Sequence, residues 1–253
     1  MRRVLAAALV LSAVVPGNVW AQGGARGRGA EAPRAPQAAG SFDPTGYWVA
    51  VVTQDWRFRM AIPPKGDVAG LPVNDAARKI ASSWDPARDE AAGEQCRAYG
   101  APNIMRIPGR LHITWRDDHT LQMDTDSGRQ TRVFVFAGAT RGATGATDWQ
   151  GVSTAMWEQL AGRRGQMPLT TSLKVVTSGM KAGYLRRNGV PYSARATMTE
   201  YFDRITQPNG DSYLIVTTTI EDPEYLTQPY LYSTHFRRQA DATGWNPRPC
   251  TIQ

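Results

Sequence analysis

Thr197-Met198-Thr199-Glu200-Tyr201-Phe202-Asp203-Arg204-Ile205, then Asn209-Gly210, then Ser212-Tyr213-Leu214-Ile215-Val216-Thr217-Thr218-Thr219-Ile220, is the stretch from which the fold is read. Two period-2 runs rich in β-branched and aromatic residues flank Asn-Gly, the dipeptide that most readily closes a hairpin because both residues tolerate positive φ. One face of the first run carries Met198, Glu200, Phe202 and Arg204, and the other carries Thr197, Thr199, Tyr201 and Asp203. Whichever face is inside brings charge with it, either Glu200 with Arg204 or Tyr201 with Asp203, and an inward charge must be paired or used. The bland alternative is a solvated ion pair on the outer wall.

The same pattern extends outward in both directions. Further strands are expected at 103–107, 111–116, 120–125, 131–137, 152–160, 169–178 and 228–237, beside the pair at 194–205 and 212–220. A first strand opens at Gly46-Tyr47-Trp48 and runs on as alternating Trp56, Phe58 and Met60 against Arg57 and Arg59, until Pro63-Pro64 ends it. Pro108-Gly109, Asp117-Asp118-His119 and Ser127-Gly128 read as hairpin connectors. The low-complexity loop 138–147 is expected to be mobile. One stretch dissents: Ala77, Ile80, Ala81 and Trp84 recur at helical spacing behind Asn74, a good N-cap residue, with a second helical turn expected in 85–93. The expectation is an all-β antiparallel barrel of about ten strands with one short helical insertion after the first strand. Helices between strands are lacking, which excludes parallel α/β architectures.

The opening residues are expected to be an export signal. Arg2 and Arg3 precede an apolar run at 4–15, and Val19-Trp20-Ala21 offers small residues at a cleavage site, with the cut after Ala21. The run is shorter than the roughly 20 residues a membrane span requires, so no stable membrane anchor is expected and the protein is placed in the periplasm or outside the cell. A lipoprotein would need a cysteine just after the run, and the first is Cys96. Residues 22–40, built of Gly, Ala, Arg, Pro and Gln, read as a disordered leader before the domain at 41–253. The formal charge is +7, but Arg2 and Arg3 carry two charges and Arg26, Arg28 and Arg34 against Glu31 a net two more, leaving an ordinary +3 on the folded part. No nucleic-acid partner is expected from that surface. Cys96 and Cys250 are the two cysteines, and in an oxidising compartment a single disulfide between them is expected.

Two resemblances add to this. Gly46-Tyr47-Trp48 at the start of the first strand resembles the Gly-x-Trp motif of lipocalins, which implies a calycin-type barrel and an arginine of the last strand, Arg237 or Arg238, packed on the tryptophan. The chain is also similar to an uncharacterised group of exported bacterial proteins. That likeness rests on Gly93-Glu94-Gln95-Cys96, Gly100-Ala101-Pro102, Met105-Arg106-Ile107-Pro108-Gly109, Trp157-Glu158, Leu173-Lys174-Val175-Val176-Thr177, Gly189-Val190-Pro191-Tyr192-Ser193, Glu200-Tyr201-Phe202-Asp203-Arg204 and Glu221-Asp222-Pro223. It implies export and a lipocalin-like barrel, and no particular reaction.

Catalytic signatures are few. His-Glu-x-x-His, Gly-x-Ser-x-Gly and EF-hand patterns are missing, and Ser178-Gly179-Met180-Lys181 spells Ser-x-x-Lys at the end of a strand without its companion motifs. His112, His119 and His235 are scattered at no ligand spacing, so neither a metal nor a cofactor is expected. Charged and aromatic strand residues point instead to a ligand: Trp56, Arg59, Arg106, Trp115, Glu158, Tyr201, Arg204 and His235 are the candidate contacts. Eight tryptophans in the chain also suit a space lined with rings, although plain core packing is the competing reading. The expected function is binding of a small hydrophobic or aromatic molecule inside the barrel, with Arg106 or Arg59 fixing its polar end. The enzyme alternative is a cofactor-independent lyase, isomerase or cyclase in which Glu200, Asp203 or His112 moves a proton. A filled interior would favour a third reading, a structural module of the envelope.

Overall fold

The computed structural model describes residues 35–139, 148–160 and 169–252. The expected signal, most of the expected leader, and the core of the low-complexity loop (140–147) lie outside the described residues. Nine strands close into a barrel: β1 Gly46–Val51, β2 Arg110–Asp117, β3 Thr120–Thr125, β4 Thr131–Phe136, β5 Val152–Leu160, β6 Leu169–Ser178, β7 Thr197–Thr206, β8 Ser212–Glu221 and β9 Tyr230–Gln239. Neighbours in sequence are neighbours in the wall, and β9 pairs with β1 to close it.

The strand count corrects two expectations. Nine is odd, so strand direction cannot alternate all the way round a closed ring, and one adjacent pair has to run parallel. That pair is β4 and β5, with Phe134 opposite Ser153 and Phe136 opposite Ala155. The wall is therefore mixed, where about ten purely antiparallel strands were expected. The Asn209-Gly210 hairpin forms as read, with Gln207 N donating to Asp211 O at 2.8 Å and Gly210 at φ +88.

Two expected strand segments are helical instead. Trp56–Met60 is a short helix, α2, following the turn α1 at Pro36–Ala39, and is entered through Asp55 at φ 51; spacing i, i+2, i+4 fits a strand, but i and i+4 also share a helix face. Ala101–Ile104 is helical, with Pro102 in its first turn, where a missing N–H costs nothing, so Pro108-Gly109 closes no hairpin. The expected helix behind Asn74 is α3, Asp75–Ser83, capped by Asn74 Oδ1 accepting from Ala77 N at 3.0 Å, and Pro86–Ala91 follows as α4. The insertion between β1 and β2 thus holds four short α-helices rather than one.

That insertion plugs one end of the barrel. Tyr99, Ile104, Met105 and Ile107 are buried in one cluster with Trp48, Leu111, Ile113, Phe134, Phe202, Leu214 and Phe236 from the strands. Burying each of those rings stabilises the fold by about 2–3 kcal/mol relative to exposure. At the opposite end the last residues of the leader are built in: Pro36–Ala39 forms a helical turn, and Trp157 Nε1 donates to Pro36 O at 2.7 Å. Trp48 Nε1 donates to Pro44 O at 2.9 Å, and the Arg238 guanidinium carbon lies 5.7 Å from the Trp48 ring. Cys96 and Cys250 form the disulfide, with Cα atoms 5.2 Å apart, which ties the C-terminal segment to the plug. Tyr99 adds a hydroxyl contact to Thr251 O at 3.2 Å.

Candidate functional site

Burial decides which faces are inside. On β7 the inner face is Met198, Glu200 and Phe202, and Tyr201 and Asp203 face outward. Glu200 accepts from Arg132 Nη1 at 3.0 Å and Nη2 at 2.6 Å, with both side chains wholly buried, and Arg132 also reaches Thr177 Oγ1 at 3.2 Å. This pair neutralises itself, and it belongs to a polar layer crossing the barrel. In register, Glu200 stands opposite Thr218, and Thr218 opposite Tyr232. Around that layer the interior is occupied by the protein's own side chains. Hollows of about 770 Å³ beside the disulfide, about 520 Å³ under residues 37–45 and about 560 Å³ against Trp245 are lined by loops and by the rims of the wall, reaching the inner face only at Trp115 and Thr125.

The unbalanced charge lies between the plug and the barrel, beyond Tyr232. Arg59 from α2, Arg106 after the last plug helix and Arg186 from the turn after Gly183-Tyr184 are each only 3% exposed. Arg59 Nε donates to Arg106 O at 2.9 Å, and Arg106 stacks its guanidinium carbon 5.0 Å from the Tyr232 ring and 5.9 Å from that of Tyr230. Arg186 lies 4.1 Å over the ring of Phe58. Asn188 fastens the Arg186 turn in place through two 2.9 Å bonds, to Pro64 O and Asp67 O, and Arg187 donates to Arg59 O at 3.2 Å.

Opposing negative charge comes from two carboxylates: Asp67 acts on Arg186 and meets Arg57 Nη2 at 3.9 Å, and Asp55 faces Arg106. Asp55 Oδ2 approaches Arg106 Nη2 at 3.1 Å, yet its side chain is 44% exposed and the contact lacks hydrogen-bond alignment. Among the described residues, Arg59 Nη2, Arg186 Nε and Nη1 and the Tyr230 hydroxyl are buried without a hydrogen-bond partner, and Arg106 Nη2 has only the misaligned Asp55 contact. A buried donor left unmade costs about 1–3 kcal/mol, and more when charged. Burial and then the Arg106 charge pull Arg59 down from its ordinary value to about 10, and burial lowers Arg186 as well. Burial pushes the Tyr230 phenol up, more than the neighbouring Arg106 and Arg186 charges pull it down, so it remains a protonated donor. Chemically this is a set of convergent, desolvated donors with excess positive charge, an arrangement suited to a carboxylate or phosphate.

Comparison with known proteins finds no matching family model, curated protein or solved structure.

Of the residues singled out from sequence, Arg59, Arg106 and Trp56 come together here, Trp56 at the surface of α2 and 67% exposed. The remaining candidates are elsewhere. Trp115 packs on Phe136 with ring centroids 5.5 Å apart, in the half of the barrel covered by residues 36–44. Arg204 binds Ser212 Oγ at 3.0 Å and Asp43 O at 3.3 Å, and Glu158 is half-buried on β5. Tyr201 sits outside beneath Lys174, 5.4 Å from its Nζ, and Asp203 accepts from Ser172 at 2.5 Å. His112 stacks on Tyr47 on the outer wall with ring centroids 4.1 Å apart, and His235 contacts Thr53 Oγ1 at 3.0 Å. The alternative proton movers lie apart: Glu200 is inside and held by Arg132, whereas Asp203 and His112 are outside. Among the described residues no group of three His, Cys, Asp or Glu side chains gathers as metal ligands would.

Sequence reasoning passed over Arg186, Tyr230 and Tyr232. A signal for the tyrosines existed: Tyr230, Tyr232 and Thr234 alternate on β9 as polar residues on the face that Phe236 shows to be buried. For Arg186, Arg186-Arg187-Asn188-Gly189 reads as a solvated basic turn, and only the plug opposite it reveals otherwise.

Proposed function

We propose that this chain is an exported binding protein that takes the anionic group of a small organic molecule at Arg59, Arg106 and Arg186, between the plug and the barrel. One observation carries the reading: Arg59 Nη2 and Arg186 Nε and Nη1 are buried without acceptors, and Arg106 Nη2 meets only the Asp55 carboxylate, which is half in solvent. A protein selected for stability alone gains nothing from this arrangement, because burying like charges side by side raises the free energy of the folded state. An arriving carboxylate or phosphate supplies both the missing acceptors and the missing charge. Tyr230 and Tyr232 add ring faces and one free hydroxyl donor.

Other features support the setting. A disulfide suits an oxidising compartment, in keeping with the expected export signal. The Gly46-Tyr47-Trp48 opening with Arg238 laid over Trp48 supports kinship with the lipocalin-like barrels. Binding, rather than turnover, is favoured because the acidic and imidazole side chains that could move a proton are dispersed over both faces of the wall.

Isothermal titration of the purified protein with benzoate, inorganic phosphate and neutral benzamide tests this. Saturable binding of an anion, absent for benzamide and lost in Arg186→Met, is expected; equal behaviour of benzoate and benzamide would contradict it.

A further inference from the structure

Helix α2 carries information about the rest of the ligand. At about 100° per residue, Trp56, Arg59 and Met60 fall within about 100° of one another around the helix axis. The partition on that face is inverted relative to water: Arg59 is buried, whereas Trp56 and Met60 are 67% and 62% exposed. An ordinary surface helix turns its apolar residues inward and its arginine outward. On the other flank Phe58 lies between the guanidiniums of Arg57 and Arg186, at 5.4 and 4.1 Å, and the acid bordering the helix there, Asp67, meets Arg57 Nη2 at 3.9 Å.

Resting on the anion-site reading above, we infer that the occupant is a single-chain anionic amphiphile: its head sits among the three buried guanidiniums and its apolar body lies over Trp56 and Met60. Such a molecule corrects both halves of the inversion at once. An inorganic anion corrects only the buried charge, and a neutral apolar compound only the exposed rings. A route for the head is visible in Asp55, whose half-exposed carboxylate already reaches within 3.1 Å of Arg106 from the solvent side. The head of the ligand follows the same approach and takes the place of Asp55. A lipid headgroup fixed in a bilayer surface is a poorer fit, since the guanidiniums are 3% exposed and recessed behind the helix.

The test is a calorimetric chain-length series, butanoate, octanoate and decanoate below their aggregation concentrations, on the full protein. Affinity is expected to rise at least roughly tenfold from butanoate to decanoate, well below the limit set by complete burial of each methylene. In Trp56→Ala/Met60→Ala, two exposed positions whose loss leaves the core intact, the rise should flatten while butanoate still binds. Anion binding without chain-length dependence in the unaltered protein would overturn the amphiphile and leave the anion site standing. No binding of any carboxylate would overturn both. Retention on phosphatidylglycerol vesicles without uptake of monomeric decanoate would overturn it in favour of a membrane surface.

Discussion

Arg59 donates through Nε to the main-chain carbonyl of Arg106 at 2.9 Å, so two guanidiniums, each buried, are held beside one another by a bond that neutralises neither. Around this contact the plug, the Arg186 turn and the tyrosines of β9 are assembled. The consequences are measurable.

Asp55 is the intramolecular stand-in for a ligand carboxylate. Replacing it in Asp55→Asn is expected to lower stability by about 1–2 kcal/mol, because Arg106 loses its nearest opposite charge. Anion affinity should rise severalfold as the competitor is removed. Urea denaturation with and without octanoate reads both: the anion should restore the lost stability.

The inner pair behaves differently. Glu200→Gln strands Arg132 in the barrel and is expected to cost about 3–5 kcal/mol, whereas removing both charges in Arg132→Met/Glu200→Leu should recover most of it. Anion binding in the double variant should match the unaltered protein, since this pair is already neutral. A loss of binding there would extend the site into the polar layer.

Much of the wall was legible from sequence, and the reasons are local. β7 and β8 show alternation strong enough to name both strands and their turn, and Asn74 announces α3 through its own side chain. Parity was not legible, because counting nine or ten strands depended on residues 103–107, where Pro102 opens a helical turn. Nor was the site. Trp56, Phe58 and Met60 spell a strand to a reader of period 2, and the left-handed Asp55 that converts them to helix has no glycine to mark it. Alternation also could not say whether Glu200 or Tyr201 faced inward, since each face carries one aromatic ring and one acid. An arginine buried on a helix and tyrosines directed at it are a tertiary fact, created when the insertion folds back on the barrel.

Protonation offers a second handle. Burial makes Arg59 hold its proton less tightly when folded, down to about 10 and below its ordinary value, so between the folded and the ordinary value the unfolded state binds more protons. Its contribution to stability therefore rises with pH through that window and is unfavourable below it. A bound anion favours the charged form, so binding near pH 10 should take up protons and weaken as pH increases further. Calorimetry in buffers of different ionisation enthalpy at pH 9–10.5 measures that uptake, which Arg59→Met should diminish.

The disulfide closes a loop of 154 residues, and Cys96→Ser/Cys250→Ser is expected to lower stability by about 3–5 kcal/mol. Because the bond anchors the C-terminal segment to the plug rather than touching the arginines, folded variant should retain its anion affinity. Denaturant midpoints and titration of the same sample separate the two.

The most direct measurement compares melting temperatures of the unaltered protein and Arg186→Met, each with and without a saturating carboxylate at constant ionic strength. Without the anion the variant should melt at the same temperature or higher, having shed a buried charge; with it, the unaltered protein should gain several degrees and the variant little. A variant that melts lower under both conditions, with no response to anion in either protein, would show that the guanidiniums serve the fold alone.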